Sequence, residues 1–221
     1  MEYAPLSNGL LDFVDKKIGT ITIQELSEKG VSDFLSATKK VQEALSSTSV
    51  EERLWVVDEM GHLWGDKVTS NKLTELKTSL SKSTGYSERL IEMEFSLVPS
   101  MLNLESLRKN LESSFIRGIR GLQEFIEIEN GERFRYMPAG PVFIISSGNS
   151  LLPPLIPTTI SLVTGNLTLL RPSLANYLGV VEVYRLLREI QSETAKLFSE
   201  ALAISYFVHD SPYWSHQLLG R

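Results

Sequence analysis

The sequence predicts an α/β protein, a helical amino-terminal region followed by a parallel sheet. Three observations carry this. Val142–Ile145, Leu167–Leu170 and Ala203–Val208 are short apolar runs of the kind that form strands buried on both faces. Leu151–Val163 and Asn176–Ile190, between them, are too long for ordinary strands and are apolar enough to pack as helices. The chain before Gly131 reads mostly as helices. Alternating strand and helix is the order of a parallel sheet with right-handed crossovers.

Each element has a local reason. Ser49-Val50-Glu51-Glu52 has the spacing of a capping box, ahead of an apolar face at Leu54, Val56, Val57, Met60 and Leu63. Asn71 is placed to cap a helix through Leu80, and Ser87 one through Leu97 that stops before Pro99. Asn103–Ile119 repeats the pattern with Leu104, Leu107, Leu111 and Phe115, and Gly118 and Gly121 bracket its end. Glu124–Glu127 and Phe134–Tyr136 flank Asn130-Gly131, a strong hairpin signal. Pro153, Pro154 and Pro157 crowd the front of Leu151–Val163. Proline is tolerated in a first helical turn, and Pro157 lies deep enough to predict a late start. Thr194–Leu202 reads as a helix, and Asp210 is placed to cap Ser211–Leu219.

Composition excludes several classes. The chain has 221 residues, 42% hydrophobic and 22% charged, as in a globular protein of one large or two small domains. A net charge of -5, with Lys and Arg dispersed, argues against nucleic acid or a polybasic membrane surface. Met1-Glu2-Tyr3-Ala4-Pro5 lacks the blocks of a signal peptide, and Leu151–Val163 is too short to span a bilayer. A cytoplasmic protein without a membrane span is expected. The cysteine count is zero, so no disulfide, thiolate metal site or catalytic thiol can come from these residues. His62, His209 and His216 show no convergent metal spacing, and no metal is expected. His209-Asp210 with Ser147 invites a hydrolase triad, but no nucleophile-elbow spacing supports it. Trp55, Met60, Leu63 and Trp64 read as core rather than as an acyl pocket.

The chemistry-bearing stretch is Gly140–Ser173, GPVFIISSGNSLLPPLIPTTISLVTGNLTLLRPS. By spacing alone Asn149 is either a turn or cap residue or an amide donor at the end of a parallel strand, where open α/β sheets place their sites. Arg171 is either a solvated strand-end residue or an anion contact.

These residues resemble the aldehyde dehydrogenase superfamily, and within it the fatty-acyl-CoA reductases of bacterial luminescence systems. The match lies in Gly148-Asn149 after a strand, a helix, Gly165-Asn166, a second strand and Arg171-Pro172-Ser173. Ser147-Gly148 stands where ordinary aldehyde dehydrogenases have Pro-Trp, and Ser83-Thr84-Gly85-Tyr86-Ser87 is similar to the same reductase branch.

The resemblance implies a parallel Rossmann-like sheet of the aldehyde dehydrogenase type, incomplete. It divides the chain into a mainly helical region at 1–122, a hairpin at 123–139 and the first part of an NAD(P)-binding domain at 140–221. An incomplete sheet is expected to expose apolar surface beyond Ala203–Val208. The implied activity is reduction of a fatty acyl-CoA to an aldehyde with NADPH, NADH being possible. In that reading Asn149 holds the oxyanion, and Ile145, Ser146, Ser147 and Gly148 wall the cofactor. Arg171 and Ser173 offer contacts to a ribose 2′-phosphate, and Leu174 replaces an acid that grips the ribose diol. Leu151, Leu152, Leu155 and Ile156 are candidates for touching an acyl chain. A homo-oligomer, or a chain that supplies the missing catalytic half, is the implied partner. The superfamily works through a cysteine nucleophile, so its absence here conflicts with the resemblance. Two other readings stay open, a non-catalytic nucleotide-binding or regulatory subunit of a split enzyme and a scaffold protein.

Overall fold

The computed structural model describes residues 11–19, 21–146, 148–208, 214 and 216. It opens with an antiparallel hairpin, β1 (Phe13–Ile18) and β2 (Ile21–Leu26), in continuous register from Phe13↔Leu26 to Ile18↔Ile21. This hairpin departs from the helical reading of the first residues. β1 presents no alternating apolar face, so period-two patterning does not mark it. Tertiary contacts hold β2 instead. The Gln24 N–H donates to the Tyr177 hydroxyl at 2.9 Å, and the Leu26 N–H to Ser205 Oγ at 3.0 Å.

Six helices follow: α1 (Glu28–Ser36), α2 (Thr38–Ser46), α3 (Val50–Thr69), α4 (Thr74–Thr84), α5 (Glu88–Met101) and α6 (Leu104–Ser114). The capping box forms as expected, with the Glu52 N–H on Ser49 Oγ and the Ser49 N–H on the Glu52 carboxylate. Three boundaries differ from expectation. Asn71 takes a left-handed conformation at φ 57° in the turn before α4, which begins at Thr74. Helix α5 runs through Pro99 to Met101. The Phe95 carbonyl, which an N–H at position 99 would have bonded, accepts the Trp64 indole N–H at 3.0 Å instead. Gly61 of α3 faces Pro99, where a β-carbon would make ordinary van der Waals contact with the Pro99 carbonyl oxygen at 3.4 Å. Helix α6 stops at Ser114, because Phe115 turns extended at φ -112° and ψ 135°, and Arg117 and Gly118 beyond it are left-handed at φ 64° and 74°.

A 3-10 turn at Gly118–Leu122 leads to a short antiparallel pair, β3 (Ile126–Glu127) and β4 (Arg133–Phe134), where the Asn-Gly hairpin was expected. Asn130 and Gly131 have φ of 69° and 77°, within a turn longer than two residues.

Three parallel strands complete the fold: β5 (Pro141–Ile145), β6 (Leu167–Arg171) and β7 (Leu202–Ile204), in the order β5-β6-β7. Between them lie α7 (Leu155–Val163), α8 (Tyr177–Arg185) with a 3-10 turn at Leu186–Arg188, and α9 (Glu193–Ala201). Helix α7 starts late, with Pro154 at its N-cap and Pro157 inside its first turn. β7 is shorter than expected, and the chain continues beside it without regular pairing. The Ser205 N–H reaches Leu170 O on one side, and the Tyr206 N–H reaches Gln24 O on the other. β2 therefore meets the chain just after β7, at the edge that was expected to be open, while Val208 further along is exposed. Helix α3 packs against α5, α7 and α9, with Leu54, Met60 and Trp64 buried. Trp55 does not join them and is exposed. Asp210 and the helix expected at Ser211–Leu219 lie outside the described residues, apart from Trp214 and His216.

Candidate functional site at the carboxyl ends of the parallel strands

β5 and β6 end side by side. Ile145 is the register partner of Arg171, and the Ser146 N–H donates to Arg171 O at 2.9 Å. The chain then turns through Gly148, which has φ 93° and open space where a β-carbon would point. A left-handed residue at this point favours glycine. Ser147 and His209, both expected here, lie outside the described residues.

Four side or main chains from three distant segments fix the turn from Gly148 to Leu151. Ser173 Oγ donates to Gly148 O at 2.5 Å and accepts the Asn176 N–H at 3.3 Å. Asn149 Nδ2 donates to Thr84 O at 3.1 Å. Asn176 Nδ2 donates to Ser150 O at 2.6 Å, and the Leu151 N–H approaches Glu94 Oε2 at 3.5 Å. Asn149 is thereby exposed yet oriented. One of its two amide N–H groups is held by the backbone where α4 ends, and the other has no partner among the described residues.

The second Gly-Asn pair does a different job. Asn166 is buried, its Oδ1 accepting the Ala139 N–H at 2.8 Å and its Nδ2 reaching Thr164 Oγ1 at 2.8 Å. It ties the end of α7 to the chain entering β5.

Arg171 is placed otherwise than a solvated strand-end residue would be. It is buried, its Nε and Nη2 donate to Phe207 O at 3.2 and 2.9 Å, and its guanidinium lies 4.7 Å from the Tyr206 ring centroid. Three of its five N–H donors remain. Ser173 has its single proton on Gly148 O, so it supports the turn. Ile145 is half exposed, while Ser146 Oγ is sealed from solvent without a partner. Of the apolar candidates after the turn, Leu151 and Leu155 are buried, and Leu152 and Ile156 keep partial exposure. His62 is exposed beside Asp58, 3.4 Å away. Among the described residues no cluster of His, Asp or Glu could hold a metal, and no helix is long and apolar enough to cross a membrane.

Sequence reasoning missed Asn176 and Glu94 as supports of the turn. Glu94 had a signal, since it shares the apolar face of α5 with Ile91, Phe95 and Val98.

Solved structures with this fold include aldehyde dehydrogenases. An NAD-dependent benzaldehyde dehydrogenase from Corynebacterium glutamicum superposes with a TM-score of 0.63 at 15% identity, covering 91% of this chain and 42% of its own. Aldehyde dehydrogenase 21 from Physcomitrella patens gives 0.61 at 15%, covering 91% and 41%. An NADP-dependent glyceraldehyde-3-phosphate dehydrogenase from Bacillus halodurans C-125, complexed with NADP, gives 0.58 at 15%, covering 89% and 40%. The likeness is one of fold, and the chain spans about two fifths of the length of these structures. No curated protein sequence matches it. The family model of acyl-CoA reductase (LuxC) matches residues 45–218, and the chain belongs to that family.

Proposed function

We propose that this chain supplies the dinucleotide-binding and oxyanion-holding part of an NADPH-dependent reductase that converts a fatty acyl-CoA to an aldehyde. The observation that carries this reading is the braced turn at Gly148–Leu151, which orients Asn149 at the carboxyl end of β5 in a chain of the acyl-CoA reductase family.

The residues at the strand ends fit a dinucleotide. Ser146 Oγ is a buried polar atom without a partner, Ile145 offers an exposed apolar surface, and Gly148 leaves room for close approach. When bound, NADPH supplies hydride to the acyl carbon. Asn149 donates its free amide N–H to the oxygen on which negative charge develops. Loss of such a donor typically costs about 3–4 kcal/mol of transition-state stabilisation. Arg171 offers its remaining donors to a 2′-phosphate, and Leu174 places no carboxylate against it. Leu152 and Ile156 give an acyl chain an apolar surface. None of the 221 residues is cysteine, so a thiol that carries the acyl group belongs to residues other than these. Self-association belongs to the proposal too, since Phe125 and Met137 are exposed on either side of the β3–β4 pair.

Calorimetric titration with NADPH and NADH tests the cofactor assignment. Saturable binding with NADPH tighter is expected, and Arg171→Glu should reverse or abolish the preference. Equal affinities, or tighter NADH, would show the assignment to be wrong.

A further inference from the structure

At the far end of α7 from Asn149 the surface opens into a cleft of about 240 Å³ between α2, the start of α3, the chain after β4 and the turn at Thr164-Gly165. α7 has 9 residues, so about 14 Å of helix separates this cleft from the turn at Gly148.

The donors in its wall outnumber the acceptors. Gln42 Nε2 and Arg135 Nε are shielded from solvent and have no hydrogen-bond partner. Among the described residues, Arg135 otherwise makes only a long contact from Nη2 to Leu122 O at 3.5 Å. Arg53, buried beside it, directs its guanidinium to the carbonyls of Leu45, Thr48 and Val163 and to Thr48 Oγ1. Among the described residues, neither Arg53 nor Arg135 forms an ion pair with a carboxylate. Burial first, and the Arg135 charge after it, hold the Arg53 guanidinium down at about 10. Lys39 and Glu43 complete the charged rim, 3.9 Å apart, so one cation and one anion offset each other there. Two guanidinium charges remain in one pocket. Met137 and Pro138 form an apolar shoulder.

We propose that this cleft binds a small oxyanion of two or more oxygens, a phosphate ester or a carboxylate, against Arg135, Gln42 and Lys39. A guanidinium with free donors beside an amide N–H suits a forked acceptor, and the anion offsets the repulsion between Arg53 and Arg135. The cleft is far too small for a dinucleotide, and its ligand is independent of the reductase site. The short carbon skeleton of the ligand lies on Met137.

The test titrates the 221-residue chain calorimetrically with inorganic phosphate and with succinate, at ionic strength matched with sodium chloride. Saturable binding of one or both at a single site is expected, and the tighter of the two identifies the ligand class. Arg135→Gln should weaken it about tenfold or more, since a charge-assisted forked contact is lost. Gln42→Leu should weaken it to a smaller degree, and Arg133→Gln, at an exposed position on β4, should leave it unchanged. Arg135→Lys keeps the charge and removes the Nε donor, giving an intermediate loss, and it serves as the readout if Arg135→Gln does not fold. Heats indistinguishable from chloride for both anions, unchanged affinity in the Arg135 variants, or an equal loss in Arg133→Gln would overturn the proposal.

Discussion

Asn176 is the side chain on which the braced turn depends most, and its removal has a calculable effect. It is fully buried, and its Nδ2 lies 2.6 Å from Ser150 O. Asn176→Ala leaves the part-buried Ser150 carbonyl without its donor, a loss of about 1–3 kcal/mol, and removal of Oδ1, which is buried without a partner, brings the expected cost to the lower part of that range. Asn176→Asp keeps the shape but sets a carboxyl against the Ser150 carbonyl. Burial and the facing oxygen both resist ionisation, so this carboxyl titrates above its unfolded value. A raised folded-state value means that the variant is most stable below the unfolded pKa and loses stability as pH rises. Urea unfolding followed by circular dichroism at pH 5 and pH 8 reads both effects, and hydrogen exchange at Gly148–Leu151 reports the local loosening. An Asn176→Ala variant within about 0.5 kcal/mol of the parent, or an Asn176→Asp variant insensitive to pH, would refute the reasoning.

Two other outcomes are expected. The chain incubated alone with acyl-CoA and NADPH should show no steady turnover, because a hydroxyl without a positioned base is a poor substitute for a thiolate; turnover undiminished by a thiol-alkylating reagent would mean another mechanism. Stability should fall between about pH 10 and 12. Burial pushes the Tyr177 phenol up to about 12 and that of Tyr184 higher, so both stay neutral in the folded chain while the unfolded chain ionises. Burial also holds the Arg53 guanidinium down, to about 10, which acts in the opposite direction and offsets part of this loss. Tyr177→Phe should flatten the slope, and a parent midpoint constant over this range would contradict the assignment.

The parallel sheet was legible from its short apolar runs; the central strand β6 has all five residues buried, as a strand covered on both faces should, whereas β5, at the edge of the sheet, is only partly buried and departs from that expectation. The β1–β2 hairpin was not. Its pairing rests on Tyr177, Ser205 and Tyr206, more than 150 positions away, which no local pattern carries. The extension of α5 through Pro99 was hidden for the same reason, since its compensation is an indole on another helix. At the site, Gly148-Asn149 was legible as a strand-end turn. What Asn149 leans on was not, because Thr84 contributes a backbone carbonyl and Asn176 looked like the start of a helix. Arg171 shows the limit of reading a charge by position. The expected strand-end cation is in place, but Phe207 draws it inward.

The most direct test follows backbone and side-chain amide resonances during a titration with NADPH. Saturable shifts are expected at Ile145, Ser146, Gly148 and the Asn149 carboxamide, with Arg135 and Gln42 unmoved. Tight binding that leaves the Gly148–Leu151 turn unshifted, or shifts confined to another surface, would contradict the assignment of this strand-end turn as the reductase site.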